Sequence, residues 1–402
     1  MNQKVGVFLV VLVAFLFLMV TLLPEEAQAV PSYARQIQKP CTACHTIWPN
    51  LNQAGRQFKV KAYTDVAPEW QLIKKDRLDM LLTYVPVSIR AISYPWYSEN
   101  KSGTKKDYSD IAHEIELFLG SRISENFGFF AEMEWEPKDG TNAELGPVKL
   151  AFQYPVGEGN TLGFVLFKGD AVSADPFNSL GGRGRRMIYK RKTSILEQGY
   201  DFKMMGDNQA LVAHGYFLGN RLYGAIGAMR GEGLGSGAAD DPIDGYFRLA
   251  WDQKLPDGAV TFGAAHYTGK QEVSTYKSKV KRTYLDASLE QNFGEDHLIE
   301  IQALYGTGDE DNVGGSTKKE LSGFYLEADY FFQRKIGAIA AYDTVDYKNH
   351  SVDKERTWVI GAKYLPWANV NLTIQYENVK TDPTTGSSKT EKVIRAVVDV
   401  AF

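Results

Sequence analysis

The residues Cys41-Thr42-Ala43-Cys44-His45 hold both cysteines of the chain in the pattern C-x-x-C-H. Two thiols at this spacing can form thioethers with the vinyl groups of a porphyrin, and the next residue can supply an imidazole to the iron. The motif therefore predicts one covalently bound c-type haem, with thioethers at Cys41 and Cys44 and His45 as the proximal iron ligand. The alternative is a redox-active dithiol, but the βαβ pattern expected around such a motif is missing.

The segment that carries the motif is too short to complete a haem site. Residues 30–75 form a stretch below the size at which a domain usually folds alone, and they contain no methionine and no histidine except His45. A second protein ligand of the usual kind must then come from the rest of the chain. The candidates for this distal position are Met80, His113, Met133, Met187, Met204, Met205, His214 and His266.

Residues 1–29 have the pattern of a signal peptide. Lys4 precedes an apolar stretch at 5–23, and Ala27-Gln28-Ala29 forms an A-x-A cleavage site. An uncleaved membrane anchor is the alternative, because the apolar stretch is about as long as a membrane span. Either way, the sequence predicts export from the cytoplasm. In bacteria, c-type haem is attached outside the cytoplasm.

From Leu78 onward, apolar and polar residues alternate in stretches of about ten to fifteen residues, which is typical of membrane-spanning β-strands. We therefore predict an all-β fold at 76–402, a transmembrane antiparallel β-barrel of about 16 strands, preceded by a short haem segment at 30–75. A large soluble β-sandwich would alternate as well. The predicted strands are 78–93, 108–122, 126–137, 144–155, 161–172, 209–219, 221–231, 244–254, 259–273, 281–293, 297–308, 319–333, 335–347, 355–366, 369–381 and 391–402.

The predicted linkers alternate strictly between short and long, as the periplasmic turns and external loops of outer-membrane barrels do. This parity places both termini in the periplasm, and the terminal Phe402 resembles the C-terminal signature of outer-membrane proteins. The long linkers are 94–107, 138–143, 173–208, 232–243, 274–280, 309–318, 348–354 and 382–390. Aromatic residues suited to membrane-interface girdles lie near the strand ends: Trp251, Phe293, Tyr305, Phe332, Trp358 and Trp367.

The two parts of the chain carry opposite charge. Residues 30–75 hold seven Lys and Arg against two acids, a net +5, whereas 76–402 holds 37 against 45, a net −8. Opposite charges favour docking of the haem segment at the periplasmic mouth of the barrel, although both charges could simply be solvated. The predicted lumen-facing acids are Glu114, Glu116, Glu132, Glu134, Asp286, Glu290, Glu300, Glu327, Asp329, Glu377 and Asp399.

The same alternation assigns His113 and Met133 to the lipid face, which disfavours them as distal ligands. The linker 173–208 is the third external loop, which porins often fold into the lumen. Its stretch 183–192 contains six basic residues that could pair with lumen acids or haem propionates, or bind lipopolysaccharide phosphates at the surface: Arg183, Arg185, Arg186, Lys190, Arg191 and Lys192.

About 30 residues around the motif resemble the fused monohaem cytochrome–porins of iron-oxidising bacteria. The resemblance rests on 31–36 (PSYARQ), on Cys41 to Thr46, on Trp48-Pro49 and Leu51-Asn52, and on 55–59 (GRQFK). It implies an outer-membrane oxidoreductase that oxidises Fe(II) and passes electrons through the haem to a periplasmic cytochrome. Nothing in the family pattern fixes the distal ligand.

The expected partners are Fe(II) or another extracellular electron donor, a periplasmic cytochrome, and the outer membrane with its lipopolysaccharide; nucleic acid is not expected. Acidic external segments at 240–241 and 309–311 could concentrate Fe(II). Two other functions fit the same residues: an electron conduit for a different donor or acceptor, and a passive porin with a structural or sensory haem plug.

Overall fold

The computed structural model describes residues 32–66, 86–137, 143–170, 172–180, 208–230, 243–273, 276–311, 318–367 and 369–401. The predicted signal peptide and the predicted boundary near residue 75 lie outside these ranges. Residues 32–66, here called the N-terminal segment, form helix α1 (Ser32–Ile37), a 3-10 turn (Cys41–Ala43) and helix α2 (Gln53–Val60). None of the helices within the described ranges has the length and apolar character of a membrane span.

Sixteen antiparallel strands form a closed barrel in which every strand pairs with its neighbours in sequence and β1 pairs with β16. This confirms the predicted fold class. The strands are β1 (Val87–Lys101), β2 (Thr104–Ser124), β3 (Phe127–Trp135), β4 (Glu144–Pro155), β5 (Thr161–Gly169), β6 (Asn208–Phe217), β7 (Leu222–Arg230), β8 (Asp244–Leu255), β9 (Gly258–Val273), β10 (Tyr276–Phe293), β11 (His297–Asp311), β12 (Lys319–Phe332), β13 (Ile336–Lys348), β14 (Val352–Trp367), β15 (Val370–Pro383) and β16 (Lys389–Ala401).

The alternation of the sequence becomes an apolar outside and a polar inside. On β5, Phe164 and Leu166 are exposed on the outer face, whereas Val165 and Phe167 are buried inside. Among the predicted girdle residues, Trp251, Phe293, Tyr305, Phe332 and Trp358 are exposed on the outer face. A closed barrel with an apolar outer band satisfies all its backbone groups internally, as a membrane span must.

The first strand differs from the prediction. β1 begins at Val87 and runs through most of the predicted loop 94–107, while residues 78–85 lie outside the described ranges. Pro95 interrupts the alternation but does not end the strand, because the pairing of β1 with β16 shifts register between Ser93 and Trp96. The true turn is Ser102-Gly103, where both residues have positive φ and the Gly103 N–H donates to Asn100 Oδ1 at 3.1 Å.

The predicted strict alternation of loop lengths is also wrong. Several strands extend into predicted long linkers, so that β10 begins at Tyr276, three residues after the end of β9, and β11 continues to Asp311. Glu310, which we expected in an acidic external segment, is fully buried against Arg282 of β10. The other end of the barrel has short turns within the described ranges, as predicted, including 125–126, 256–257, 294–296 and 333–335.

Candidate haem segment in the barrel mouth

The two cysteines and His45 lie on one turn of backbone. The N–H groups of Cys44 and His45 both donate to the Cys41 carbonyl oxygen, at 3.1 and 2.9 Å. Positions three and four residues apart on such a turn share a face. The turn therefore brings two thiols and an imidazole together, as covalent attachment and ligation of one haem would require.

The His45 ring is held by its own loop. Nδ1 lies 3.1 Å from the Pro49 carbonyl oxygen, which can only accept, so Nδ1 carries the proton and Nε2 is the nitrogen left for a metal. Burial lowers the pKa of His45 to about 4, although hydrogen bonds to the Pro49 and Asn50 backbone act in the opposite direction. The imidazole is therefore neutral at pH 7, which is the form that binds iron.

The thiols differ from those of a reactive dithiol. Cys41 and Cys44 are free and partly buried, and burial raises the pKa of both. Redox-active C-x-x-C motifs depend on a lowered thiol pKa. Together with the absence of a βαβ unit in the described ranges, this disfavours the dithiol alternative.

Cys41 and Trp48 face one wall of the barrel. Between them and that wall lies a cavity of about 10 Å³, lined also by Leu365, Asn369, Asn371, Asp399 and Ala401. This cavity could hold about one water molecule and is therefore too small for a porphyrin. It marks the place where the turn contacts β14, β15 and β16. The donor set of the turn fits a c-type haem, whereas this cavity does not enclose one.

Arg56 of α2 fixes the N-terminal segment inside the barrel. It is fully buried, its Nε and Nη2 both donate to the Asp252 carboxylate at 2.9 Å, and its Nη1 donates to Glu290 Oε1 at 2.6 Å. Burial alone would lower the pKa of Arg56, but the two acids together raise it above its ordinary value. This paired, forked geometry is the strong form of an ion pair, and it confirms the expected docking of opposite charges.

Further contacts surround the segment. Asn50 Nδ2 donates to Glu300 Oε2 of β11 at 2.8 Å, and Arg334 Nη1, in the turn after β12, donates to the Thr46 carbonyl at 2.6 Å. On the opposite wall, Gln36 Nε2 donates to the Gly120 carbonyl of β2 at 2.7 Å. Because these partners are spread around the barrel and lie near its short turns, the segment occupies the lumen at that end.

An aromatic cluster seats the segment on β2 and β3. The rings of Tyr33, Phe58 and Tyr63 pack together with centroids 4.9 to 5.7 Å apart, and Tyr33 Oη donates to the Phe129 carbonyl at 2.7 Å. Two wall glycines permit this approach. A Cβ on Gly120 would overlap the Tyr33 ring, and one on Gly128 would overlap the carbonyl of Ala62.

The start of the third long linker folds into the lumen, as expected for a porin. Residues 172–180 are buried, and Asn178 makes two hydrogen bonds of 2.9 Å to the N–H and carbonyl of Leu51. Asp175 accepts from buried Arg248 of β8 at 2.7 Å. The Phe177 ring lies between the guanidinium groups of Arg248 and Arg56, at 5.3 and 5.9 Å. The six basic residues predicted for this loop lie outside the described ranges.

The predicted acidic lumen is confirmed for most of its members. The following carboxylates are buried on the inner face: Glu114, Glu116, Asp286, Glu290, Glu300, Glu327, Asp329, Glu377 and Asp399. Arginines of the wall and of the N-terminal segment pair with several of them, including Asp286 with Arg248 and Asp399 with Arg90. The lumen is therefore a compensated network around the inserted chain and not simply an open acidic pore.

Among the described residues, none of the distal-ligand candidates lies on β14, β15 or β16, the wall that Cys41 faces. His214 is buried on β6, with Nδ1 3.4 Å from the Tyr223 hydroxyl. β6 lies across the barrel from β14 to β16, where Cys41 lies. His266 is exposed and its Nδ1 lies 2.9 Å from Thr283 Oγ1. Met80, Met187, Met204 and Met205 lie outside the described residues.

His113 is not on the lipid face, contrary to the prediction. Ile92 pairs with Glu114, and Tyr94 pairs with Asp110. Between these two pairs β1 advances by two residues and β2 by four, so the pairing contains a bulge. The bulge breaks the alternation and turns His113 toward Tyr94 and Asp110, which are both buried. Met133, by contrast, is exposed on the outer face, as predicted.

No family model and no curated protein matches the chain. The fold is similar to an anion-selective porin from Comamonas acidovorans, with TM-score 0.58, 12% identity, and coverage of 79% of this chain and 99% of that one. It is also similar to the outer membrane channel DcaP of Acinetobacter baumannii, with TM-score 0.54, 13% identity, and coverage of 79% and 95%. At these identities the similarity establishes a shared fold, the 16-stranded barrel of outer-membrane porins.

Proposed function

We propose that this protein is an outer-membrane cytochrome–porin fusion that oxidises extracellular Fe(II) and passes single electrons to a periplasmic carrier. The observation that carries the proposal is the turn Cys41 to His45, whose donor set fits one covalent c-type haem and which lies in the mouth of a porin-like barrel. The family resemblance of the N-terminal segment suggests Fe(II) as the electron donor.

Each part of the chain has a role in this proposal. His45 offers a neutral imidazole whose Nδ1–H is fixed by the Pro49 carbonyl, and such a bond orients a metal-binding ring and increases its basicity. Arg56, Asn50 and Thr46 tie the segment to the wall. A bound haem would supply a one-electron centre for the oxidation of Fe(II) to Fe(III).

The location of the segment supports an inward direction of electron flow. It occupies the barrel end that carries short turns. In outer-membrane barrels the short turns face the periplasm, so the segment is placed to meet a soluble periplasmic cytochrome.

The test is reduction of the purified full-length protein by Fe(II) under anaerobic conditions, followed by its visible absorption and compared with full reduction by dithionite. We expect Fe(II) to reduce most of the haem that dithionite reduces. His45→Gln should lose the native haem spectrum, whereas the control His266→Gln, an exposed outer-face histidine, should keep it. Haem that stays oxidised with Fe(II) would refute the oxidase function.

A passive porin with a structural or sensory haem plug is the second candidate, favoured by the porin-like barrel. It predicts free ion conduction by the intact protein and no reduction by Fe(II). Reduction by a different donor, with Fe(II) inactive, would instead indicate a conduit for that donor. Mass spectrometry of the intact protein tests whether the haem is covalently attached.

A further inference from the structure

His113, Glu114 and Glu136 form a compact group of possible metal ligands on the inner side of the barrel. One ring nitrogen of His113 and one carboxylate oxygen from each glutamate all lie within 4.8 Å of one another. Glu114 is buried, and His113 and Glu136 are partly buried. Because ligand atoms about 2.1 Å from one ion are about 3.0 to 4.2 Å apart, only a small side-chain adjustment would bring all three onto a single cation.

The bulge in β2 creates this group. In a regular strand, His113 and Glu114 would point to opposite faces of the sheet. The register shift between β1 and β2 lets both adjacent side chains point inward, and Glu136, directly after β3, completes the group. Bulges of this kind often redirect a side chain at a functional site.

Asp110 orients the imidazole ring of His113. Its Oδ2 lies 3.0 Å from His113 Nδ1, and the His113 ring packs on Tyr94 with centroids 4.2 Å apart. A carboxylate that accepts the proton of Nδ1 leaves Nε2 as the coordinating nitrogen and fixes the plane of the ring, as is usual for metal-bound histidines. The ring is therefore oriented before any ion arrives.

We propose that His113, Glu114 and Glu136 bind a divalent first-row transition metal, with Asp110 as the positioning residue. One imidazole and two carboxylates suit Fe(II), Mn(II), Co(II) or Zn(II), whereas Ca²⁺ and Mg²⁺ prefer oxygen donors alone and Cu(I) prefers sulfur. Three protein ligands leave coordination positions for water, so the ion can exchange.

The site is linked to the N-terminal segment along one wall of the barrel. The Arg90 guanidinium of β1 lies 4.7 Å from the Trp48 ring and pairs with Glu116 of β2 at 2.9 Å, and Glu116 is two residues from Glu114. The metal site is therefore connected to the N-terminal segment by a short run of side-chain contacts. Its use to load Fe(II) rests on the proposed function, whereas metal binding itself does not.

The test is calorimetric titration of the full-length protein in detergent with Mn(II), supported by the electron paramagnetic resonance signal of bound Mn(II). We expect one ion per chain at this site. Glu136→Gln and His113→Gln should weaken its binding at least tenfold, and Asp110→Asn by about tenfold. The controls are His266→Gln and Glu327→Gln, the latter a buried lumen carboxylate of β12, and both should bind as the unaltered protein does.

Equal Mn(II) affinity in Glu136→Gln and the unaltered protein, or no saturable binding at all, would overturn the site. Heat-dependent gel mobility shows for each variant that the barrel is folded. The metal site and the oxidase function can each be refuted without the other. Haem reduction by Fe(II) without Mn(II) binding leaves the oxidase function standing, and Mn(II) binding without haem reduction leaves the metal site standing.

Discussion

At the scale of single residues, Arg56 holds the N-terminal segment in place. It is fully buried and pairs with two buried carboxylates of the wall, Asp252 and Glu290. Its replacement leaves Asp252 and Glu290 buried without their cation, and breaking a buried pair in this way costs about 3–5 kcal/mol. Arg56→Met should therefore release the segment, seen as faster cleavage by chymotrypsin at the aromatic residues of 32–66.

Lys61→Met is the matched control for this substitution. Lys61 pairs with Asp65 at 3.6 Å on the surface of the same segment, and an exposed pair contributes at most about 1 kcal/mol. Arg56→Lys should fall between the two, because it keeps the charge but loses the fork. Cleavage of Arg56→Met at the rate of Lys61→Met would show that the ion pairs do not hold the segment.

Residue-level prediction from the sequence succeeded for local patterns and failed for distant partners. The residues of the pattern C-x-x-C-H lie on one turn because they are adjacent in the chain. The excess of basic residues predicted docking, but Asp252 and Glu290 lie 196 and 234 residues from Arg56 in the chain. Nothing in the sequence selects Arg56 among seven basic residues, and nothing selects Asn178 as the partner of Leu51.

At the scale of elements, two strands approach the N-terminal segment through glycine. Gly128 of β3 faces the Ala62 carbonyl so closely that Gly128→Ala should push the end of α2 away from the wall. We expect faster hydrogen exchange of the amides at 58–66, including the Tyr63 N–H that donates to the Phe58 carbonyl at 3.0 Å. Gly224→Ala on β7 is the control, because only the Phe217 ring, at 3.9 Å, is nearby. Equal exchange in both variants would contradict this close contact.

The positions of the strands could be predicted from the sequence, whereas their ends could not. Alternation over many residues identifies a strand whatever its neighbours are, and each of the sixteen predicted strands overlaps an observed one. The ends depend on particular turn residues and bulges. Pro95 lies within β1 because the pairing shifts register there, and the bulge at His113 reverses the predicted face. Both effects depend on the neighbouring strand.

At the scale of the whole molecule, the N-terminal segment and residues 172–180 fill the lumen together. The inserted loop is anchored to the wall through Arg248 and to the segment through Asn178 and Leu51. The barrel, the loop and the N-terminal segment are thus one interlocked unit. The intact protein should conduct ions poorly in a planar bilayer, although its fold is that of a channel.

Deletion of residues 32–66 should open this channel and reveal its charge. Without the segment, Asp252 and Glu290 lose Arg56, and Glu300 loses Asn50. Three carboxylates would then line a water-filled passage, and rings of acids make pores cation-selective. We expect a several-fold rise in single-channel conductance with a preference for cations, and loss of that preference when Asp252→Asn, Glu290→Gln and Glu300→Gln are added. An unchanged conductance would mean that the inserted loop alone closes the lumen, and that the N-terminal segment is bound to the barrel without blocking it.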